Sequence, residues 1–143
     1  MQSPISRNWN EAVSSNHCKL ILSVDDEPGI LYTREQILKA ANYEVINSVD
    51  GETALEIFVA HPFVSLVLLD YAMPGMDGGT VAREMKRHRP SVPICMVTAH
   101  DAIVAKMTPT CVDCIVGKGS GPACLLEKIN QLLGSASTAR PPA

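Results

Sequence analysis

The sequence predicts an α/β protein built on a parallel sheet, and three observations predict it. Between residues 19 and 133, short apolar runs alternate with longer segments of helical spacing, the pattern of repeated βα units. Runs such as Leu66-Val67-Leu68-Leu69 are apolar without alternation, as expected of central strands covered by helices on both faces. The 143 residues suffice for one domain with one core but not for two full domains.

The first strand candidate covers residues 19–24 and leads to a helix at 29–41. A strand at 43–48 and a helix at 51–60 follow, then the strand at 64–69, which is apolar throughout except for Ser65. A helix at 79–87 precedes a strand at 92–97. The next helix, at 102–108, is short because Pro109 ends it. A fifth strand at 112–116 leads to a last helix at 122–133, where Leu125, Leu126, Ile129, Leu132 and Leu133 fall on one side. Pro122 suits its first turn and Gly134 its end. Residues 1–17 and 135–143 read as flexible tails around a domain spanning 18–134, and no internal repeat is visible.

Composition narrows the function classes. With 46% hydrophobic and 19% charged residues the chain is expected to fold rather than remain disordered. A net charge of −3 and 4% aromatic residues offer neither the basic footprint nor the stacking platform of a nucleic-acid binder, so no direct nucleic-acid contact is expected. The polar start lacks the basic and apolar regions of a signal peptide. No apolar run approaches the roughly 20 residues of a membrane-spanning helix. The expected location is cytoplasmic, off the membrane. The five cysteines Cys18, Cys95, Cys111, Cys114 and Cys124 fit a reducing compartment.

Open parallel α/β sheets place function beyond the carboxyl ends of their strands. The first strand candidate ends in Asp25-Asp26, the third in Asp70, the fourth in Thr98, and the fifth, after Gly117, in Lys118. Each has an ordinary structural use: Asp26 or Thr98 as a helix cap, Asp70 as a turn former, Lys118 as a surface cation. Coincidence explains poorly why all stand at strand ends. Three adjacent carboxylates repel one another unless a cation neutralises them, and oxygen ligands without histidine or thiolate favour magnesium. In that arrangement Asp70 is the nucleophile that forms an acyl phosphate, Lys118 supplies positive charge to phosphoryl oxygens, and Thr98 donates a hydrogen bond to one of them.

The ordered set Asp25-Asp26-Glu27-Pro28, Asp70, Met73-Pro74-Gly75-Met76-Asp77-Gly78, Thr98-Ala99 and Lys118 resembles a response-regulator receiver domain of two-component signalling, single-domain chemotaxis-type or phosphorelay-type, over about residues 19–133. The resemblance implies a flavodoxin-like, doubly wound five-stranded parallel sheet of order 2-1-3-4-5 with five flanking helices. It makes Asp70 the phosphoacceptor and Asp26 a direct Mg2+ ligand, with Asp25 close to the metal and the backbone carbonyl of Ala72 a further ligand. It implies a bacterial phosphorelay protein that is no enzyme in the ordinary sense but catalyses its own phosphorylation and dephosphorylation. Its phosphodonor would be a sensor histidine kinase or a histidine phosphotransfer protein, and its downstream protein target is unnamed.

The sequence departs from the usual pattern twice, with Gly119 where proline commonly follows the lysine and Ile115 where an aromatic ring commonly stands. The Lys118-Gly119 peptide is therefore expected to be trans. A rival reading is a receiver-fold binding module that acts without phosphorylation. Another is a haloacid-dehalogenase-type aspartyl-phosphate hydrolase, which needs a second acid two residues after the nucleophile, where Ala72 stands. Cys111-Val112-Asp113-Cys114 lacks a second cysteine pair and reads as small buried side chains rather than a zinc or redox motif. His100, two residues after Thr98, is placed to tune water access to a phosphoryl group; His17, His61 and His88 read as surface residues, and Trp9 stands alone in a polar tail.

Overall fold

The computed structural model describes residues 19–99 and 111–134. Five strands, β1 (Leu20–Val24), β2 (Glu44–Ser48), β3 (Val64–Asp70), β4 (Ile94–Thr98) and β5 (Cys114–Gly117), form one sheet. All pairs are parallel and the order is β2-β1-β3-β4-β5, the flavodoxin-like order implied above. Four helices accompany them: α1 (Pro28–Ala40), α2 (Gly51–Ala60), α3 (Gly78–His88) and α4 (Pro122–Ile129). The expected helix at 102–108, His100, Trp9, His17, Cys18 and both tails lie outside the described residues.

Helix starts follow local chemistry. Pro28 opens α1 without a side-chain cap, since its missing N–H would find no partner in the first turn anyway. Asp50 caps α2 by accepting the Thr53 N–H at 2.7 Å, and Asp77 caps α3 by accepting the Thr80 N–H at 2.9 Å. Lys86, Arg87 and His88 close α3 at its negative end. The last helix differs from expectation: α4 stops at Ile129 and continues as a π turn, Asn130–Gly134. That wider turn keeps Leu133 buried on the sheet with Leu125 and Ile129.

The strands begin and end differently from their apolar runs. β4 and β5 start two residues later than expected, because Pro93 has no N–H for the ladder and Asp113 spends its side chain on other partners. Asp113 Oδ2 accepts the Ile94 N–H and meets Lys86 Nζ, each at 2.8 Å, and Lys86 also donates to the Val92 carbonyl at 2.7 Å. This ties the amino ends of β4 and β5 to α3. At the other end, β3, β4 and β5 each run one residue further, through Asp70, Thr98 and Gly117.

The apolar runs bury both faces of the sheet. One core joins Leu22, Val67, Leu69, Ile94 and Met96 to Phe58 of α2 and to Val81 and Met85 of α3. The opposite core joins Ile21, Leu66, Leu68 and Val97 to Leu38 of α1 and to Leu125 and Ile129 of α4. Among the described residues no helix is long and apolar enough to cross a membrane.

Candidate functional site

The register of the central strands assembles the site. Val24 pairs with Leu69, so Asp25 and Asp70, each one residue further on, arrive side by side. Asp70 pairs with Val97 and Thr98 with Gly117, which sets Thr98 and then Lys118 along the same edge. Asp25, Asp26, Asp70 and Lys118 therefore converge, with Thr98 ending the neighbouring strand. Carboxylate oxygens of Asp25, Asp26 and Asp70 lie within 4.8 Å of one another.

Lys118 reaches into the cluster, its Nζ 3.2 Å from Asp70 Oδ1 and 3.3 Å from Asp25 Oδ2. Thr98 is buried at the end of β4. Ala72 lies two residues past Asp70, exposed in the loop before α3. Asp26 does not cap α1, whose N-cap position is Glu27 with no side-chain cap; Asp25 Oδ1 accepts the Glu27 N–H at 3.0 Å, ordering the turn into α1, and Asp70 Oδ1 faces Lys118.

The sequence reading missed one residue, Arg34. It stands on the inward stripe of α1 between Leu31 and Leu38 and is itself buried. Its Nη2 lies 3.3 Å from Asp25 Oδ2, and its Nη1 donates to Ser23 Oγ at 3.2 Å. The signal was present, since a charged side chain interrupts an apolar 31–34–38 spacing; what it pairs with depends on how α1 docks. Arg34 and Lys118 also line one side of an otherwise largely apolar cleft of ≈ 250 Å³ between α1 and α4.

Two cations against three carboxylates leave one formal negative charge. Burial pushes the Asp70 carboxyl up to about 6, and the Asp25 charge adds to this while Lys118 opposes it. Burial acts to lower the Lys118 ammonium, but Asp70 and Asp25 outweigh it and hold the group above its usual range. Burial draws the Arg34 guanidinium down against the pull of Asp25.

Among the described residues, Asp70 Oδ2 is buried without a hydrogen-bond partner. A buried carboxylate oxygen left unpaired is costly unless something else satisfies it. Oxygen donors from three acids, one of them unsatisfied, suit a hard divalent ion such as Mg2+.

The loop after β3 turns closely against the strand end that carries Asp70. Gly75 turns at φ +82, and the Gly78 N–H donates to the Tyr71 carbonyl at 2.8 Å. A Cβ on Gly78 would stand 2.5 Å from the Asp70 carbonyl oxygen and 2.8 Å from Tyr71 Cα, so only glycine lets α3 start against the strand end. After Lys118 the chain makes a short 3-10 turn, Lys118–Ser120, and among the described residues no peptide bond is cis. Ile115 is half-buried against the α2–α3 core.

Residues 21–130 match the family described as the response regulator receiver domain. The chain is 42% identical over 91 residues to a probable transcriptional regulator, ycf27, of Cyanophora paradoxa, an alignment covering 63% of this chain and 37% of that protein. It is 42% identical over 86 residues to the response regulator PleD of Caulobacter vibrioides, covering 57% and 18%. Among solved structures it resembles the response regulator TrrA of Thermotoga maritima in complex with Mg2+ and BeF, with a TM-score of 0.75, 33% identity, and 80% of this chain and 98% of that one covered. A second similar structure holds TrrA in complex with the histidine kinase ThkA, with a TM-score of 0.75, 35% identity and the same coverage.

Proposed function

The chain belongs to the response regulator receiver family, and from that premise we propose that it is a phosphorylation switch whose phosphoacceptor is Asp70. The observation that carries the proposal is the state of that carboxylate: Oδ1 is held by Lys118 at 3.2 Å while the buried Oδ2 has no partner among the described residues. One Asp70 oxygen is thus engaged by the ammonium, and the other can meet a bound cation or an incoming phosphoryl group.

In the proposed reaction an Asp70 oxygen attacks the phosphorus of a phosphohistidine, the phosphorus–nitrogen bond breaks, and the imidazole departs with the bonding pair. Lys118, already facing Asp70, pairs with a phosphoryl oxygen. The Thr98 hydroxyl donates to another. Asp25, Asp26, Asp70 and the Ala72 carbonyl would hold Mg2+, which when bound neutralises charge on the phosphoryl oxygens. Arg34 and Lys118 hold Asp25 in place and offset part of the acidic charge.

The phosphodonor we propose is a histidine kinase or histidine phosphotransfer protein, supported by the kinase complex of the similar TrrA. The test is incubation of the chain with Mg2+ and acetyl phosphate, followed by intact mass and peptide mapping. Asp70 should carry the phosphoryl group. If no residue is labelled, and beryllofluoride leaves the amide spectrum unchanged, the fold serves as a binding module and the proposal is wrong.

A further inference from the structure

Cys95 and Cys114 are far apart in the chain, yet the β4–β5 register makes them direct partners. Both side chains point to the face covered by α1 and α4. Their Sγ atoms are 2.9 Å apart. Adjacent strands run about 4.8 Å apart, inside the range of about 4.4–6.8 Å between Cα atoms that a disulfide spans. Closing the gap to an S–S bond of about 2.05 Å needs a movement of less than an ångström. β5 is an edge strand of four residues, so it can supply that movement without disturbing two neighbours.

The two thiols are not equivalent. Cys95 is fully buried, whereas Cys114 is only half-buried. Contact with the Cys95 sulfur draws the Cys114 thiol below its usual range; burial and Asp113 oppose this, and Lys128 of α4 assists it. The same contact, with burial, pushes the Cys95 thiol far up. Cys114 is thus the more exposed member, with the Cys95 sulfur at contact distance.

We propose that Cys95 and Cys114 are a reversible oxidation site, a dithiol that a hydroperoxide converts to a disulfide joining β4 to β5. The Cys114 thiolate attacks a peroxide oxygen, the O–O bond breaks, and Cys114 becomes a sulfenic acid with release of hydroxide (or alkoxide). Cys95 sulfur then attacks the Cys114 sulfur, the S–O bond breaks, and the hydroxyl leaves as water with the Cys95 proton. Two electrons pass from the sulfurs to the peroxide. The bridge would staple the strands three residues before Thr98 and four before Lys118.

The test treats the fully reduced chain with hydrogen peroxide, blocks remaining thiols with an alkylating agent, and maps the product without reduction. The expected product has lost two hydrogens, links the Cys95 and Cys114 peptides, and returns to five alkylatable thiols in dithiothreitol. A chain carrying Cys18→Ser, Cys111→Ser and Cys124→Ser should form the same bridge. Cys95→Ser should stop at a Cys114 sulfenic acid that a dimedone reagent captures. Five free thiols after peroxide, a bridge mapping to another pair, or a bridge surviving in Cys95→Ser would each overturn the proposal.

Discussion

The middle of the sheet and its carboxyl edge are built on opposite principles. In the middle, Ile21, Leu22, Leu66, Val67, Leu68, Ile94 and Met96 are wholly buried among other apolar side chains. At the edge, the described buried polar residues gather: Asp25, Ser48, Asp70 and Thr98 end the strands or follow them, Ser23 stands one residue before the end of β1, and Arg34 reaches them from α1. Apolar burial stabilises the fold at about 25 cal/mol per Å², whereas burying unpaired charge costs stability. One region therefore holds the molecule together and the other stores chemistry at a cost in stability. Substitutions should separate the two.

The largest expected effect is at the edge. Asp70→Asn should abolish labelling by acetyl phosphate, yet raise the melting temperature of the magnesium-free protein, because it removes a buried and partly unpaired charge. Intact mass and thermal melting in chelator check the two halves. A variant that loses labelling but is also less stable would break the contrast between the regions.

The matching change in the middle is Leu66→Ala, expected to cost about 2–5 kcal/mol through lost burial and a residual cavity. Denaturant unfolding measures that loss, and labelling of the folded fraction should proceed at the natural rate. A slowed rate at equal folded fraction would show that the site depends on core packing more closely than the contrast allows.

Arg34→Met sharpens the comparison because it tests a buried charge that supports the edge. Removing one partner of a buried ion pair typically costs about 3–5 kcal/mol, but Lys118 still faces Asp25, so about 2 kcal/mol is expected without metal. Mg2+ should recover more stability in this variant than in the natural chain, since Asp25 has lost a competing cation. Melting with and without Mg2+ reads this directly; equal gains would show that Arg34 does not compete for Asp25.

The smallest effect is on pH. The Asp70 carboxyl is raised from 3.8 to about 6, so the folded protein binds its proton more tightly than the unfolded chain. The stability that the bound proton contributes is fully present below about pH 4 and is lost as pH rises through about 6. With solvent screening at the open edge, the loss should be about 1–2 kcal/mol in chelator. The difference between natural chain and Asp70→Asn isolates it from the other carboxylates. A difference that does not vary between pH 4 and 7 would refute the assignment.

Much of this was legible because it is written in local pattern. Apolar runs without alternation require a sheet covered on both faces, and helical spacing supplied the helices to cover it. Once the strands were placed, their last residues named Asp25, Asp26, Asp70, Thr98 and Lys118 without reference to distance. The starts of β4 and β5 were misread because Val92 and Val112 look like strand residues, while Pro93 and the partners of Asp113 decide where pairing begins.

The fold class, the covered sheet and the acidic residues at its edge are set by local pattern, because each follows from residue types within a few positions of one another. Only the tertiary structure decided that Arg34 meets Asp25, that Gly78 leaves no room beside the Asp70 carbonyl, and that Cys95 faces Cys114. Those contacts come from strand register and helix docking. They join segments whose separate patterns would look the same if the register slipped, although a slip would move every one of these partners.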